Sequence, residues 1–253
     1  MSSTLRARRT IGGALVFGRG LLASQFKLTP KSLRNGVIVA AGVSNSSEVN
    51  FSAYLRENIL LTKALRIGSP VIYFGSLGAK PLANNRYYRH KYLTEKRVIK
   101  ASKRNWVFCL PQVFGVAGNR NTLVNFFYEM LAEGKLPEIE RDVYRLLIPA
   151  SLTIGLSSAF SHPKLGRRVS VVHNAPLTPE QLFRILEYEY RGLAPPKLTT
   201  PKFFDGSSLR RRELLKGRRL LHMRNLGLAT LENELRAYVR EKKSHTSRSN
   251  SGI

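Results

Sequence analysis

Five short apolar runs, each followed by a stretch with helical spacing or a helix-start signal, restrict this chain more than any other feature. The runs are GALVFG (13–18), GVIVAAGV (36–43), PVIYFG (70–75), NWVFCL (105–110) and RVSVVHN (168–174). Each has the length and β-branched or aromatic content of a buried strand. FSAYLRENILLTKALRIG (51–68) carries apolar residues at helical spacing and stops at Gly68, a good C-terminal signal. Helices are predicted over 20–27 and 86–101, and NTLVNFFYEMLAEG (121–134) reads as another that ends at glycine. In Thr178-Pro179-Glu180-Gln181, threonine stands at N-cap, proline at N1 and glutamine at N3, a capping box that opens a helix to 191. Strand-then-helix units repeated in this way imply an α/β fold with a mostly parallel sheet covered by helices.

From Gly192 the pattern weakens. GLAPPKLTTPKFF reads as a proline-rich linker and LRRRELLKGRRLLHMRNLG as a strongly basic stretch. A last helix over 226–242 is expected to fade into KKSHTSRSNSGI, a basic tail without regular structure. At 253 residues the chain is long enough to bury a real core.

Charge limits the partners. Lys and Arg number 42 against 16 acids, a net +26 with a pI near 10.9. Such an excess attracts phosphate-rich ligands, nucleic acid or anionic lipid. After residue 200 there are 13 Lys and Arg against 5 acids, so the basic C-terminal region is expected to meet an anionic membrane or nucleic acid. The single cysteine, Cys109, excludes an intrachain disulfide and suits a reducing compartment. It lies within an apolar run and reads as core. No apolar run reaches the roughly 20 residues of a membrane span. The start, STLRARRTIGGALVFGRGLLAS, has the arginines and apolar stretch of a targeting signal. Arg19 interrupts that stretch, however, and cleavage there would discard a glycine motif. His173 and His222 have no partners at metal-ligand spacing, so no metal is expected.

The glycine motif is Gly18-Arg19-Gly20-Leu21-Leu22-Ala23, between the first strand and its helix. The first glycine permits a tight turn, the second lets backbone approach a pyrophosphate, and the small third residue lets helix pack on strand. A glycine turn joining two elements would use the same residues. A carboxylate about 20 residues on normally binds the ribose 2′-hydroxyl. Residues 19–47 instead hold no acid, and contain Arg19, Lys27, Lys31 and Arg34. Basic side chains there favour NADP over NAD if a dinucleotide binds; loss of binding explains the same absence.

NRYYRHKYLTEKRV (85–98) contains Tyr87-x-x-x-Lys91 and Tyr92-x-x-x-Lys96. Residues four apart share a helix face, so Tyr87, Lys91 and Glu95 form one stripe. Tyr92 and Lys96 form another, about 140° away. Ser76 ends the strand VIYFGS, at the carboxyl edge where ligands of open α/β sheets bind. A tyrosine with pKa about 10 is a poor base at neutral pH, and a lysine one turn away is expected to bring it nearer the working range. The same pair also reads as two side chains covering a helix face.

In order, LVFGRGLLA, VIVAAGVSNS, LREN, VIYFGS, YYRHKYLTE, CLPQVFGVAGNRNTLVNF and YRLLI resemble the extended short-chain dehydrogenase/reductase family over residues 12–190. Its members include NAD(P)-dependent nucleotide-sugar epimerases, dehydratases and reductases. The family's tyrosine is followed by x-x-[small or His]-Lys and an acid four residues later, a pattern matched by Tyr87, His90, Lys91 and Glu95. The resemblance implies a Rossmann-like fold with helices on both faces of the sheet and a small C-terminal substrate-binding subdomain. The expected division is a nucleotide-binding domain over 10–175, shortened between 27 and 36, a substrate-side region over 176–235 with 111–148 contributing, and the tail over 236–253. Catalysis would fall to Tyr87, Lys91 and Ser76. NADP, or NAD, would meet Gly18, Arg19, Gly20, Leu21, Ala23, Ala41, Lys91 and Pro111. Gln112, Asn121, Thr122 and Arg145 would meet a nucleotide-sugar substrate, Arg145 gripping the diphosphate through bidentate geometry. A homodimer, cytoplasmic placement at or near the inner face of a membrane, and a role in surface-polysaccharide synthesis also follow from the resemblance alone. Too few residues separate the glycine turn from VIVAAG for the usual strand–helix–strand, so a smaller sheet and a shallower adenosine pocket are expected. A catalytically degenerate relative that binds a nucleotide or polyanion is the competing reading.

Overall fold

The computed structural model describes residues 8–9, 15–26, 36–67, 70–117, 120, 122–140, 143–161, 168–173, 175–194, 219–222 and 227–250. The elements run β1 (Arg8–Arg9), β2 (Leu15–Phe17), α1 (Leu21–Gln25), β3 (Val37–Val39), α2 (Phe51–Arg66), β4 (Val71–Ser76), α3 (Arg86–Ala101) and β5 (Trp106–Leu110). They continue with β6 (Gln112–Phe114), α4 (Leu123–Ala132), β7 (Leu147–Pro149), a 3-10 run (Ala150–Ser161), β8 (Arg168–Val172), α5 (Pro179–Arg191), β9 (Arg219–His222) and α6 (Leu228–Asn250).

The five apolar runs become β2, β3, β4, β5 and β8, paired in parallel in that order. Leu15 lies opposite Val37, Val37 opposite Val71, Ile72 opposite Trp106 and Val107 opposite Arg168. Successive strand residues point to opposite faces, yet Val37, Ile38, Val39, Val71, Ile72, Tyr73 and Phe74 are all buried. Both faces of the sheet are therefore covered, which is why these segments read as continuous apolar runs. On one face Val37, Val39, Val71, Tyr73, Val107 and Cys109 pack with Leu60, Leu61 and Ala64 of α2 and Val98 of α3. On the other, Phe26 after α1 stacks on Phe74 at 5.5 Å.

Sheet order is β1-β2-β3-β4-β5-β8-β9. A two-half dinucleotide fold places its first strand at the centre, and the strand order reverses there. Here β2 is flanked outwardly by β1, a two-residue antiparallel strand. The strands on either side of the short 18–36 interval pair directly with each other in a seven-stranded sheet, with a sequential strand order and no reversal among the described strands.

The chain forms two compact units, Met1–Leu110 with Ala150–Val171 and Leu214–Leu221, and Pro111–Pro149 with Val172–Glu213 and His222–Ile253. The second contains a two-stranded parallel pair of β6 and β7, with Gln112 opposite Leu147. Gln112–Phe114 opens on an exposed glutamine and lies outside any apolar run, so it passes for loop in the sequence. The capping box at Thr178 is present, with Gln181 N–H donating to Thr178 Oγ1 at 3.1 Å and Thr178 N–H to Gln181 Oε1 at 2.9 Å.

Two expectations are corrected. The first helix, predicted over 20–27, is one turn, Leu21–Gln25. Residues 242–250, expected as irregular tail, continue the last helix to Asn250. Its serines and threonine bond back to the helix (Ser244 to Glu241 O, Thr246 to Lys242 O, Ser247 to Lys243 O), while Lys243 donates to Tyr190 O at 2.9 Å. Docking on α5 outweighs low intrinsic propensity. Residues 251–253 of that tail lie outside the described residues.

Candidate functional site

Because β2 to β5 run parallel, Gly18, Ala40–Gly42 and Ser76 all follow or end strands at the same edge of the sheet. Gly18 has φ +137°, a conformation that disfavours any side chain, and a Cβ there would lie 2.5 Å from Ala40 O. A Cβ at Gly20 would meet nothing within 4 Å. Arg19 is exposed and Ala23 is buried against the sheet side of the one-turn helix, while Leu21 and Ala41 are half-buried. The open space at Gly20 and the close approach at Gly18 are what the glycine motif requires.

Asn85 caps α3, its side chain accepting from Tyr87 N–H at 2.8 Å and Tyr88 N–H at 3.4 Å. From that start, the helix carries Tyr87, His90, Lys91, Thr94 and Glu95 inward. Thr94, Lys91 and Glu95 are buried. Glu95 Oε1 accepts Ser76 N–H at 3.1 Å, and Arg168 Nε donates to Glu95 Oε2 at 2.8 Å, with Arg168 Nη2 on the same oxygen. The acid of the Tyr-x-x-x-Lys-x-x-x-Glu pattern therefore clasps the end of β4 and fixes the backbone of Ser76. A Cβ on Gly75 would run into the Glu95 carboxyl group, so glycine is needed at that point for the clasp to form.

Lys91 has a different partner from the one the sequence suggested. Its Nζ donates to Glu57 Oε1 at 2.9 Å and to the Tyr73 hydroxyl at 3.1 Å, and lies 5.7 Å from the Tyr87 ring centroid. Glu57, on α2, is fully buried. It also accepts Tyr73 OH at 2.6 Å on Oε1, with Val43 N–H at 2.9 Å and His90 Nε2 at 3.1 Å on Oε2. Burial alone would raise the Glu57 carboxyl, but the ammonium of Lys91 and the bonds from His90, Tyr73 and Val43 hold it well below the usual carboxylate range. Burial alone would lower Lys91, and Glu57 overrules it, so the ammonium is held above its ordinary value. A Cβ on Gly42 would lie 2.9 Å from Glu57 Oε1 and closer still to Lys91 Nζ.

The expected acidification of Tyr87 is not met. Burial raises the phenol and Glu57 adds to that, while Lys91 and a side-chain hydrogen bond with Ser76 act the other way; the net direction is up. The physical reason is burial of the phenol, the largest effect; the Lys91 ammonium draws it down, and the Glu57 carboxylate beside that ammonium offsets part of the pull.

Three of the fingerprint's basic companions, Lys27, Lys31 and Arg34, lie outside the described residues, as does Asn121. Pro111, Gln112, Thr122 and Arg145 belong to the second unit. There Gln112 is exposed in β6, Thr122 is the N-cap of α4, and Arg145 Nη2 pairs with Glu140 Oε2 at 2.7 Å on the surface. The arginine expected to hold a diphosphate is thus in an exposed ion pair. Cys109 and His173 are buried, Cys109 within β5. No helix among the described residues is long and apolar enough to cross a membrane.

No family model matches the sequence, and no curated protein matches it. Solved structures do match. A UDP-glucose 4-epimerase of Thermotoga maritima, with UDP-glucose, is 18% identical, with TM-score 0.57 over 90% of this chain and 84% of that one. A UDP-glucose 4-epimerase of Thermus thermophilus in complex with NAD is 14% identical, with TM-score 0.57 over 89% and 83%. RMD of Pseudomonas aeruginosa complexed with NADPH is 16% identical, with TM-score 0.56 over 90% and 87%. The chain shares the fold of these three proteins. In that fold, Ser76, Tyr87, Lys91 and Glu95 come together on one unit. Glu57 and Tyr73 join them, and neither stood out in the sequence reading. One signal was there: Glu57 occupies the apolar stripe of α2 with Tyr54, Leu60, Leu61 and Ala64. An acid on a buried helical face needs a buried cation, and Lys91, on the stripe of Tyr87, was the available one.

Proposed function

We propose that the protein is an NAD(P)-dependent oxidoreductase or epimerase acting on a nucleotide-linked sugar. The observation that carries this reading is the convergence of Ser76, Tyr87 and Lys91 at the carboxyl edge of a parallel sheet whose first turn is Gly18-Arg19-Gly20. The turn fits a dinucleotide diphosphate, since Gly18 brings backbone close to Ala40 and the space beside Gly20 is open. When bound, the nicotinamide would take or give a hydride. Gly18, Gly20 and Leu21 would hold the diphosphate, with Arg19 exposed beside them for a 2′-phosphate, and Lys91 would approach the nicotinamide end. Tyr87 would give a proton to, or take one from, the sugar oxygen, and Ser76 would orient that oxygen by hydrogen bond. A phenol held up by burial and Glu57 is protonated at neutral pH and so is set to act first as a donor. The nucleotide-sugar class and a setting in surface-polysaccharide synthesis rest on the sequence resemblance, and the fold likeness agrees with the former.

The test uses the full chain. NADPH fluorescence should change on binding, more strongly than NADH, and conversion of a panel of UDP- and GDP-sugars should be followed by absorbance and NMR. Tyr87→Phe should abolish conversion and leave NADPH affinity within about twofold. Absence of binding of either dinucleotide at millimolar concentration would remove the enzymatic reading. The other reading, a nucleotide-binding protein without turnover, is favoured by one observation: Lys91 already carries a carboxylate counterion.

A further inference from the structure

Glu57 has all four of its acceptor positions occupied, two on each oxygen. Its donors come from three places in the chain: Val43 in the loop after β3, Tyr73 on β4, and His90 and Lys91 on α3. A buried carboxylate joined to four donors is expensive to assemble and exceeds what packing α2 on the sheet requires, since Leu60, Leu61 and Ala64 already do that. An ammonium has three N–H donors. Lys91 spends one on Glu57 and one on Tyr73, and tetrahedral geometry turns the third away from both. The absent side chain of Gly42 leaves backbone directly beside the Lys91–Glu57 pair.

We propose that Glu57 is a positioning residue of the site, fixing the Lys91 ammonium so that one N–H remains for a neutral ligand hydroxyl and disfavouring an anionic group at that point. This rests on the functional reading above only in taking Lys91 as ligand-facing. The selectivity follows from charge. A bare ammonium attracts a phosphate or carboxylate, whereas an ammonium with a carboxylate 2.9 Å away offers a donor and little net field. Groups facing the ammonium are Glu57 and Tyr54 from α2, Tyr73 from β4, and Tyr87 and Glu95 from α3, with His90 bonded to Glu57 beside them. Tyr54 packs edge-on against His90 at 4.8 Å and lies under Arg86 at 5.1 Å, so the carboxylate of Glu57 is the anion that contacts Lys91 directly.

Two measurements on the full chain test the proposal. In protein labelled with 13C at lysine Cε, the Lys91 signal, assigned by its loss in Lys91→Met, should not titrate below pH 10.5. In Glu57→Gln the same signal should titrate at least one pH unit lower than in the wild type, a tenfold change in the proton equilibrium. Glu57→Asp, which keeps the charge on a shorter stem, should lie between the two and serves if the glutamine variant does not fold. Packing without charge control would give the same Lys91 titration in all three and would overturn the proposal. The second measurement uses inorganic phosphate against NADPH binding. Phosphate should compete at least tenfold better in Glu57→Gln than in the wild type, an excess that Glu57→Gln combined with Lys91→Met should lose. Equal competition in the single variant and the wild type refutes the selectivity. A wild type that binds no NADPH removes the enzymatic reading, and the lysine titration still decides the role of Glu57.

Discussion

Gly42→Ala is the sharpest perturbation available, because it adds one methyl group at the point where the loop after β3 crosses the buried ion pair. The new Cβ would overlap Lys91 Nζ and sit 2.9 Å from Glu57 Oε1. Both atoms terminate side chains, but neither is free to swing. Lys91 is held by Glu57 and Tyr73, and Glu57 by four donors. Either the pair separates or the loop lifts and takes the Val43 N–H bond with it. Separation of a buried pair costs about 3–5 kcal/mol, a large part of a typical stability of about 5–15 kcal/mol. Gly20→Ala is the control, with nothing within 4 Å of its Cβ and an expected cost within about 0.5 kcal/mol, as at an open surface position. Urea unfolding of both variants measures the difference. A cycle with Glu57→Leu and Lys91→Met sharpens it, since the shorter methionine removes the overlapped atom; the Gly42→Ala cost should fall by at least half in that background. If Gly42→Ala costs no more than Gly20→Ala, the packing of loop against ion pair described here is wrong.

Three further outcomes are expected. The Glu57 carboxyl is held below its ordinary 4.5, so its contribution is complete above that pH and lost as pH falls towards the folded value. The Lys91 ammonium is held above its ordinary 10.5, so its contribution is complete below that pH and lost as pH rises past it. Thermal melts of the wild type should therefore fall off more steeply on the acid side than those of the Glu57→Leu, Lys91→Met double variant, and parallel curves would contradict the pairing. Arg168→Met should cost about 2 kcal/mol in urea unfolding by leaving the buried Glu95 carboxyl without its cation, less than for a fully buried pair because the guanidinium is partly solvated. Ending the chain after Glu241 should lower far-UV helix content by the helical residues 242–250. Stability should change by no more than about 1 kcal/mol, because the Lys243 bond to Tyr190 is at the surface and the Lys242–Glu129 pair is still partly solvated. Unchanged helix content would return those residues to irregular structure.

Long, strongly periodic elements were legible from sequence. The 86–101 helix, the capping box at Thr178 and the parallel pairing of the five apolar runs all appear as read, because 3.6-residue spacing, cap chemistry and two-sided burial are local signals. Tyr87, Lys91 and Glu95 share a helix face for the same reason. The β6–β7 pair and the helical continuation to Asn250 were not legible, since they exist through pairing and docking that their own residues do not announce.

The alternating pattern alone determined an α/β sheet with Ser76 at its carboxyl edge and put Tyr87 and Lys91 on one face of a helix, because side-chain period and strand direction are properties of the chain itself. Which charge stands beside Lys91 was decided only by the tertiary structure. Glu57 lies 34 residues before Lys91, and no local rule joins two helices across that separation. Packing α2 and α3 on the same face of the sheet brings the carboxylate to the ammonium and buries the Tyr87 phenol; burial, with that carboxylate offsetting part of the pull of Lys91, holds the phenol above its ordinary value.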